Sequence, residues 1–152
     1  ACFLDVLLRR LGSMFSNSFR VNTLVTGIFA RMAGYTDPRQ HAFFLDPRLS
    51  DALPPGTPTL LRTLEKLSAD GAVRLSKLPR CAARLREARA TLNAPGGARA
   101  DEEMDDMEEK KVARFLRGMI VLREFLQELQ AVVAAKKQCC QAWGLLGVTR
   151  PG

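Results

Sequence analysis

The chain has 152 residues, of which 47% are hydrophobic and 26% charged, and its formal net charge is +7. This length and balance fit one globular domain with its own core, and they argue against a disordered chain, a collagen or a disulfide scaffold. No apolar run approaches the roughly 18 residues that a membrane-spanning helix needs, and the first residues lack the pattern of a signal peptide. Because the sequence begins without methionine, we expect a fragment of a longer chain.

The charge is unevenly distributed. Residues 1–100 carry 15 basic and 7 acidic residues, whereas residues 101–109 hold seven acids and no base. Residues 110–152 carry 8 basic and 2 acidic residues. A basic chain is attracted to nucleic acid and anionic membranes by its summed field, but that attraction is non-specific and says nothing about the fold.

The first part of the chain has the apolar spacing of helices separated by turns. Apolar residues recur every three or four positions in residues 3–14, which predicts an amphipathic helix. A second helix, at about residues 19–34, has a wide apolar stripe typical of burial on more than one side. Asp37-Pro38 predicts a turn, and we expect a short helix over residues 39–45 that Pro47 ends.

Two further helices follow a proline-rich loop at residues 50–58. The first of them is capped by Thr57 or Thr59 and runs to about Ser76. The second covers residues 80–92. Residues 93–104 then predict a flexible linker that is rich in Pro and Gly and acidic at its end.

The acidic run at residues 101–109 has two interpretations, a solvated and partly disordered stretch or the acidic first turns of the next helix. Helical spacing then continues for six turns, and we expect one long helix over residues 105–138. Its apolar stripe is broader than a coiled-coil seam, which favours packing on its own domain. Residues 139–152 lose this periodicity and predict an irregular tail.

No segment has the sustained alternation of a half-buried strand. We therefore predict an all-α protein with five to six helices, mostly in antiparallel pairs. Both a helical bundle and the end of an irregular α-solenoid satisfy this pattern. In either case residues 1–92 form one helical region.

The sequence has no motif typical of catalysis, cofactor binding or metal binding. A nucleophile elbow and a phosphate-binding loop are both missing. The single histidine, His41, lies beside Phe43 and Phe44, and we expect it to pack or cap. The four cysteines lack the Cys-x-x-Cys spacing of a zinc site and predict reduced thiols in a cytosolic protein. We therefore expect a protein that is not an enzyme.

A basic cluster between positions 74 and 89 is the candidate partner-binding site. Only one acid, Glu87, lies within it. Its members are Arg74, Lys77, Arg80, Arg84, Arg86 and Arg89. They form either a solvated face or a contact for an acidic protein, an anionic lipid surface or nucleic acid. Nucleic acid is unlikely as a partner, because no aromatic residues are interleaved and no helix-turn-helix or zinc finger appears.

Two stretches of the first half have a distinctive pattern. The first reads Phe3-Leu4-x-x-Leu7, then Phe19-x-Val21-Asn22-x-x-Val25-Thr26-Gly27. The second reads Pro38, then His41-x-x-x-Leu45-x-Pro47. Together they resemble the C-terminal region of the Hook-interacting proteins of the Fused-toes–Hook complex, also called the retinoic-acid-induced-like family. The resemblance covers roughly residues 2–135, while the tail at 138–152 departs from the family's ending.

The resemblance implies a non-enzymatic adaptor. Such adaptors join Fused-toes and Hook proteins and, with an early-endosomal Rab GTPase, couple endosomal vesicles to dynein-based transport on microtubules. It also implies a cytoplasmic location, peripheral on endosomes. The alternative is a basic helical domain that binds nucleic acid or an anionic membrane surface through residues 74–89. Asn22 and Thr26 are the most characteristic polar residues, and we expect them to hydrogen-bond neighbouring helices.

Overall fold

The computed structural model describes residues 2–35 and 37–145, with side chains as far as 139. Its helices are α1 (Phe3–Gly12), α2 (Phe19–Gly34), α3 (Pro38–Leu45), α4 (Pro47–Ala52), α5 (Leu60–Lys77), α6 (Cys81–Asn93), a short 3-10 turn (Gly97–Arg99) and α7 (Met107–Leu145). The residues described contain no strand, so the predicted all-α fold is confirmed.

Helix α4 is the element that sequence reasoning missed. The helix before Pro47 ends at Leu45 as expected, but Pro47 also begins a further helix. The Asp46 carboxylate accepts a hydrogen bond from the Arg48 backbone N–H at 3.0 Å and so caps α4. In the first turn of a helix, proline loses no hydrogen bond, and its fixed φ suits the helix. The same arrangement, with Asp37 as cap and Pro38 in the first turn, begins α3 one residue earlier than expected.

One hydrophobic core joins the two halves of the chain. Its buried residues come mainly from α1, α2, α5 and α7, with Phe44 from α3 and two residues from the loop after α1. They are Leu7, Leu8, Leu11, Met14, Phe15, Val25, Phe29, Ala30, Ala33, Phe44, Leu60, Leu64, Leu67, Phe115, Leu116, Val121, Leu122, Phe125 and Leu129. Helix α7 thus packs on the helices of the first half.

Helices α2 and α7 run side by side in the same direction. Near the start of α7, the Arg114 guanidinium donates to the Ser16 carbonyl at 3.2 Å. Near the end of the described side chains, Lys136 donates to the carbonyl of Tyr35. A parallel pair needs a long connection, which here holds α3 to α6.

The characteristic polar residues of α2 are hydrogen-bonded, but neither bonds a neighbouring helix as we expected. Asn22 is buried, and its amide donates to the Met14 carbonyl at 2.8 Å and accepts from the Asn17 amide at 3.1 Å. It therefore fixes the α1–α2 loop against α2. Thr26 instead donates to the Asn22 carbonyl of its own helix at 2.9 Å, so it does not join neighbouring helices.

Hydrogen bonds join the segment 93–104 to arginines of α7. The flexibility that we predicted for this segment stays a prediction. Asp101 does not fit the solvated interpretation of the acidic run, because its side chain is 0% exposed. Its carboxylate accepts from Arg117 at 3.1 Å and from Arg114 at 3.3 Å. Arg117 also donates to the Gly97 carbonyl at 2.7 Å. Buried charges need such partners, and α7 supplies them.

Candidate protein-interaction surface

The six basic residues of the predicted cluster are divided among different environments. Arg74, on α5, places its guanidinium carbon 5.4 Å from the centre of the Phe15 ring and 5.8 Å from that of Phe115. The two rings themselves meet edge to face at 5.1 Å. Arg74 therefore covers an edge of the core through cation–π contacts, which is a structural role.

Replacing Arg74 with alanine is expected to lower the free energy of unfolding by about 1 kcal/mol, through loss of these cation–π contacts and of the cover that the side chain gives the rings. Urea unfolding followed by circular dichroism measures the change. Lys77→Ala is the matched control, because Lys77 is exposed on the same helix, and its effect should stay within about 0.5 kcal/mol. Equal effects of the two substitutions would contradict the cation–π role.

Of the remaining members, Lys77 ends α5, Arg80 precedes α6 as its N-cap residue, and the other three lie on α6. Arg89 forms an ion pair with Glu124 of α7 at 3.5 Å, with both side chains more than half exposed. Such exposed pairs contribute little to stability. Lys77, Arg80 and Arg86 are exposed and form no ion pair within the described part of the chain.

Arg84 alone of the six lines a groove between α6 and the first half of α7. The groove has a volume of about 530 Å³. Apolar and small side chains form its floor, and charged or polar ones form its rim. The floor residues are Ala88, Met104, Val112, Ala113 and Leu116, with the buried Arg117 among them, and the rim residues are Arg84, Glu87, Thr91, Glu108 and Glu109.

Packing of α6 explains why a groove forms there. No residue of α6 is fully buried. Half-buried Leu85 and Ala88 pack against the core, and alanine is too short to fill the space between two helices. The small residue at position 88 thus leaves a concave, partly apolar surface beside α7.

The rim is acidic, although the chain as a whole is basic. The charge of Arg117 is compensated by Asp101, so Arg84 is the single uncompensated base among the lining residues. Glu108 is itself paired with Lys111, which leaves two acids, Glu87 and Glu109, against Arg84. Glu108 accepts a hydrogen bond from Lys111 at 2.8 Å, and this bond raises the pKa of the lysine. A cationic ligand with an apolar side chain fits these surroundings better than phosphate does.

Sequence reasoning found Arg84 but missed the groove. Its floor comes from residues of α6, of α7 and of the segment before α7, which only the tertiary packing of α6 on α7 brings together. The acidic run at 101–109 was the available signal, since Glu108 and Glu109 belong to it.

A larger cavity of about 820 Å³ lies between α1, α5 and the loop before α5. Arg62 in its wall donates to four carbonyls, those of Ser50, Leu53, Pro54 and Thr57, at 2.8–3.0 Å. This guanidinium therefore holds the proline-rich loop in place. The cavity contains none of the six residues of the predicted cluster.

The fold and these surfaces define an all-α helical protein built on one hydrophobic core. The chain belongs to a family of unknown function (DUF5917), whose match covers residues 1–95. That match includes α1 to α6 and ends before the 3-10 turn and α7. No solved structure matches the chain.

Two further findings concern the residues that the structure describes. None of their helices has the length and apolar character needed to cross a bilayer. Their His, Cys, Asp and Glu side chains also form no group of three or more that could hold a metal ion.

Proposed function

We propose that this chain is a non-enzymatic adaptor module that binds partner proteins through the groove between α6 and α7. The observation that carries the proposal is the combination of an apolar floor and an acidic rim. An apolar floor gives affinity through burial, while charges at the rim give selectivity and speed association.

The resemblance to Hook-interacting proteins supplies the proposed partners. They are Hook and Fused-toes proteins, together with an early-endosomal Rab GTPase. In this role the chain lies in the cytoplasm, peripheral on endosomes, and helps to couple vesicles to dynein-based transport. The quoted sequence motifs of α1 to α4 support this part of the proposal.

Direct binding tests the proposal. Purified Hook and Fused-toes proteins, singly and together, are titrated against the labelled chain in sedimentation velocity experiments at moderate salt. We expect a complex whose affinity falls at least tenfold when Glu87 and Glu109 are both replaced by arginine, because the rim then repels a basic partner.

Glu128→Arg is the matched control, since Glu128 is an exposed acid of α7 outside the groove. It should leave the affinity unchanged. If the folded chain binds neither protein, the adaptor proposal fails for this region. If it instead binds phosphatidylserine vesicles or duplex RNA, with a steep loss at high salt and on Arg86→Glu, the basic-domain alternative replaces it.

A further inference from the structure

Helix α2 exposes an apolar stripe on the side that faces away from the core. Leu24 is 67% exposed and Tyr35, its C-cap residue, is 62% exposed, with Ile28 between them. Together with Arg31 these positions have the spacing 4, 3, 4, which places them along one face of a helix. No residue of α2 lines the α6–α7 groove, so this is a separate surface.

Two exposed glycines, Gly27 and Gly34, lie on one flank of this stripe, and packing within the described residues requires neither of them. A Cβ built on Gly27 or Gly34 meets no atom within 4 Å. By contrast, a Cβ on Gly71 would lie 2.6 Å from the Met119 sulfur, and one on Gly118 would lie 3.0 Å from the Met14 carbonyl oxygen. Those two glycines are explained by internal packing, whereas Gly27 is an exposed interior helix glycine that destabilises α2 relative to alanine.

A glycine with open space around it fits the close approach of a second helix. Small residues at a contact let two helix backbones come nearer than larger side chains allow. The neighbouring side chains of Leu24 and Ile28, which both lie on one side of Gly27 around the helix, would then pack beside the crossing point. The exposed stripe thus has the layout of a helix-docking surface rather than of scattered surface residues.

The charges of α2 define the partner. The helix contains Arg20 and Arg31 and no acid. Both arginines are exposed, and neither forms an ion pair within the described residues. Around the helix both lie between Gly27 and the line of Leu24 and Ile28, where they would meet acidic residues of a docked helix.

We infer that the outer face of α2 binds an amphipathic helix of a partner protein, with acidic residues beside its apolar seam and its closest approach at Gly27. This inference is independent of the α6–α7 groove, because the two surfaces share no residue. It concerns a second docking site on the same chain.

A model peptide tests the inference on the full chain. The probe is a fluorescein-labelled peptide of three heptads with leucine at a and d and glutamate at e and g, whose like charges oppose self-association. The control peptide has lysine at e and g. Fluorescence anisotropy is expected to show at least tenfold tighter binding of the acidic peptide.

Substitutions then locate the site. Leu24→Asp and Gly27→Leu should each weaken binding of the acidic peptide at least tenfold. Val73→Asp is the matched control, because Val73 is an exposed apolar residue of α5. It should leave binding unchanged.

The substitution Gly27→Ala distinguishes an effect on peptide binding from an effect on the stability of the fold. Because the site is open, alanine should raise Tm by about 2–4 °C through its higher helix propensity, while it weakens binding of the acidic peptide severalfold. If the variant is more stable and yet binds the acidic peptide less tightly, misfolding is excluded as the cause of the weaker binding.

Three results would overturn the inference. One is equal binding of the acidic and basic peptides, and another is acidic-peptide binding that survives both Leu24→Asp and Gly27→Leu. The third is a concentration-dependent dimer abolished by Leu24→Asp, without peptide binding, which would assign the face to a second copy of this chain.

Discussion

Replacing Asp101 with alanine is expected to lower the free energy of unfolding by about 3–5 kcal/mol. The Asp101 side chain is 0% exposed and that of Arg117 is 3% exposed, so the substitution leaves a buried guanidinium without its counter-charge. It also removes the acceptor that Arg114 uses at 3.3 Å. Urea unfolding followed by circular dichroism gives the change in free energy.

Two further variants distinguish loss of the buried Asp101–Arg117 ion pair from the general effect of removing an acidic residue. Asp105→Ala removes an exposed acid of the same run, and its effect should stay within about 0.5 kcal/mol. Asp101→Leu combined with Arg117→Met removes both buried charges and should recover most of the lost stability. If Asp101→Ala is as stable as Asp105→Ala, the buried pair does not hold residues 93–104 against α7.

Asp101 also illustrates what local sequence reasoning misses. Periodicity and turn residues were enough to predict an all-α fold and six of the seven described α-helices, because those signals act over a few positions. Nothing local distinguishes Asp101 from Asp105 in a run of seven acids. The difference comes from Arg114 and Arg117, which lie 13 and 16 residues further along the chain.

Dependence on residues distant in sequence also explains why the six residues of the predicted basic cluster have different roles. Counting charges finds the arginines, but their roles depend on residues far away in sequence. Arg74 makes cation–π contacts with Phe15 and Phe115, which are far apart in sequence, and Arg89 forms an ion pair with Glu124. Tertiary packing therefore decides which of these basic residues are free to contact a partner. The same packing forms the α6–α7 groove.

The family match leaves out α7, although α7 packs in the same core as the matched helices. It ends at residue 95, whereas α7 supplies seven buried apolar side chains: Phe115, Leu116, Ile120, Val121, Leu122, Phe125 and Leu129. Gly118 permits the close approach, since a Cβ there would lie 3.0 Å from the Met14 carbonyl oxygen. In this chain α7 therefore completes the core of the matched segment.

Replacing Phe125 with alanine is expected to lower the free energy of unfolding by about 3–5 kcal/mol, through lost burial and the cavity left behind. Phe125 is 2% exposed, and its ring fills space in the core that α7 shares with the first half of the chain. Urea unfolding measures the loss, and amide hydrogen exchange shows where it acts. If the two halves form one cooperative unit, exchange should accelerate in α2 as well as in α7.

Val133→Ala is the matched control on the same helix, since Val133 is 43% exposed, and its effect should stay within about 0.5 kcal/mol. Exchange that accelerates in α7 alone would mean that α7 opens independently and that residues 1–95 keep their structure without it. A loss below about 1 kcal/mol for Phe125→Ala would contradict its place in the core. Acceleration in both helices would instead make α7 part of the folded unit that carries the candidate groove.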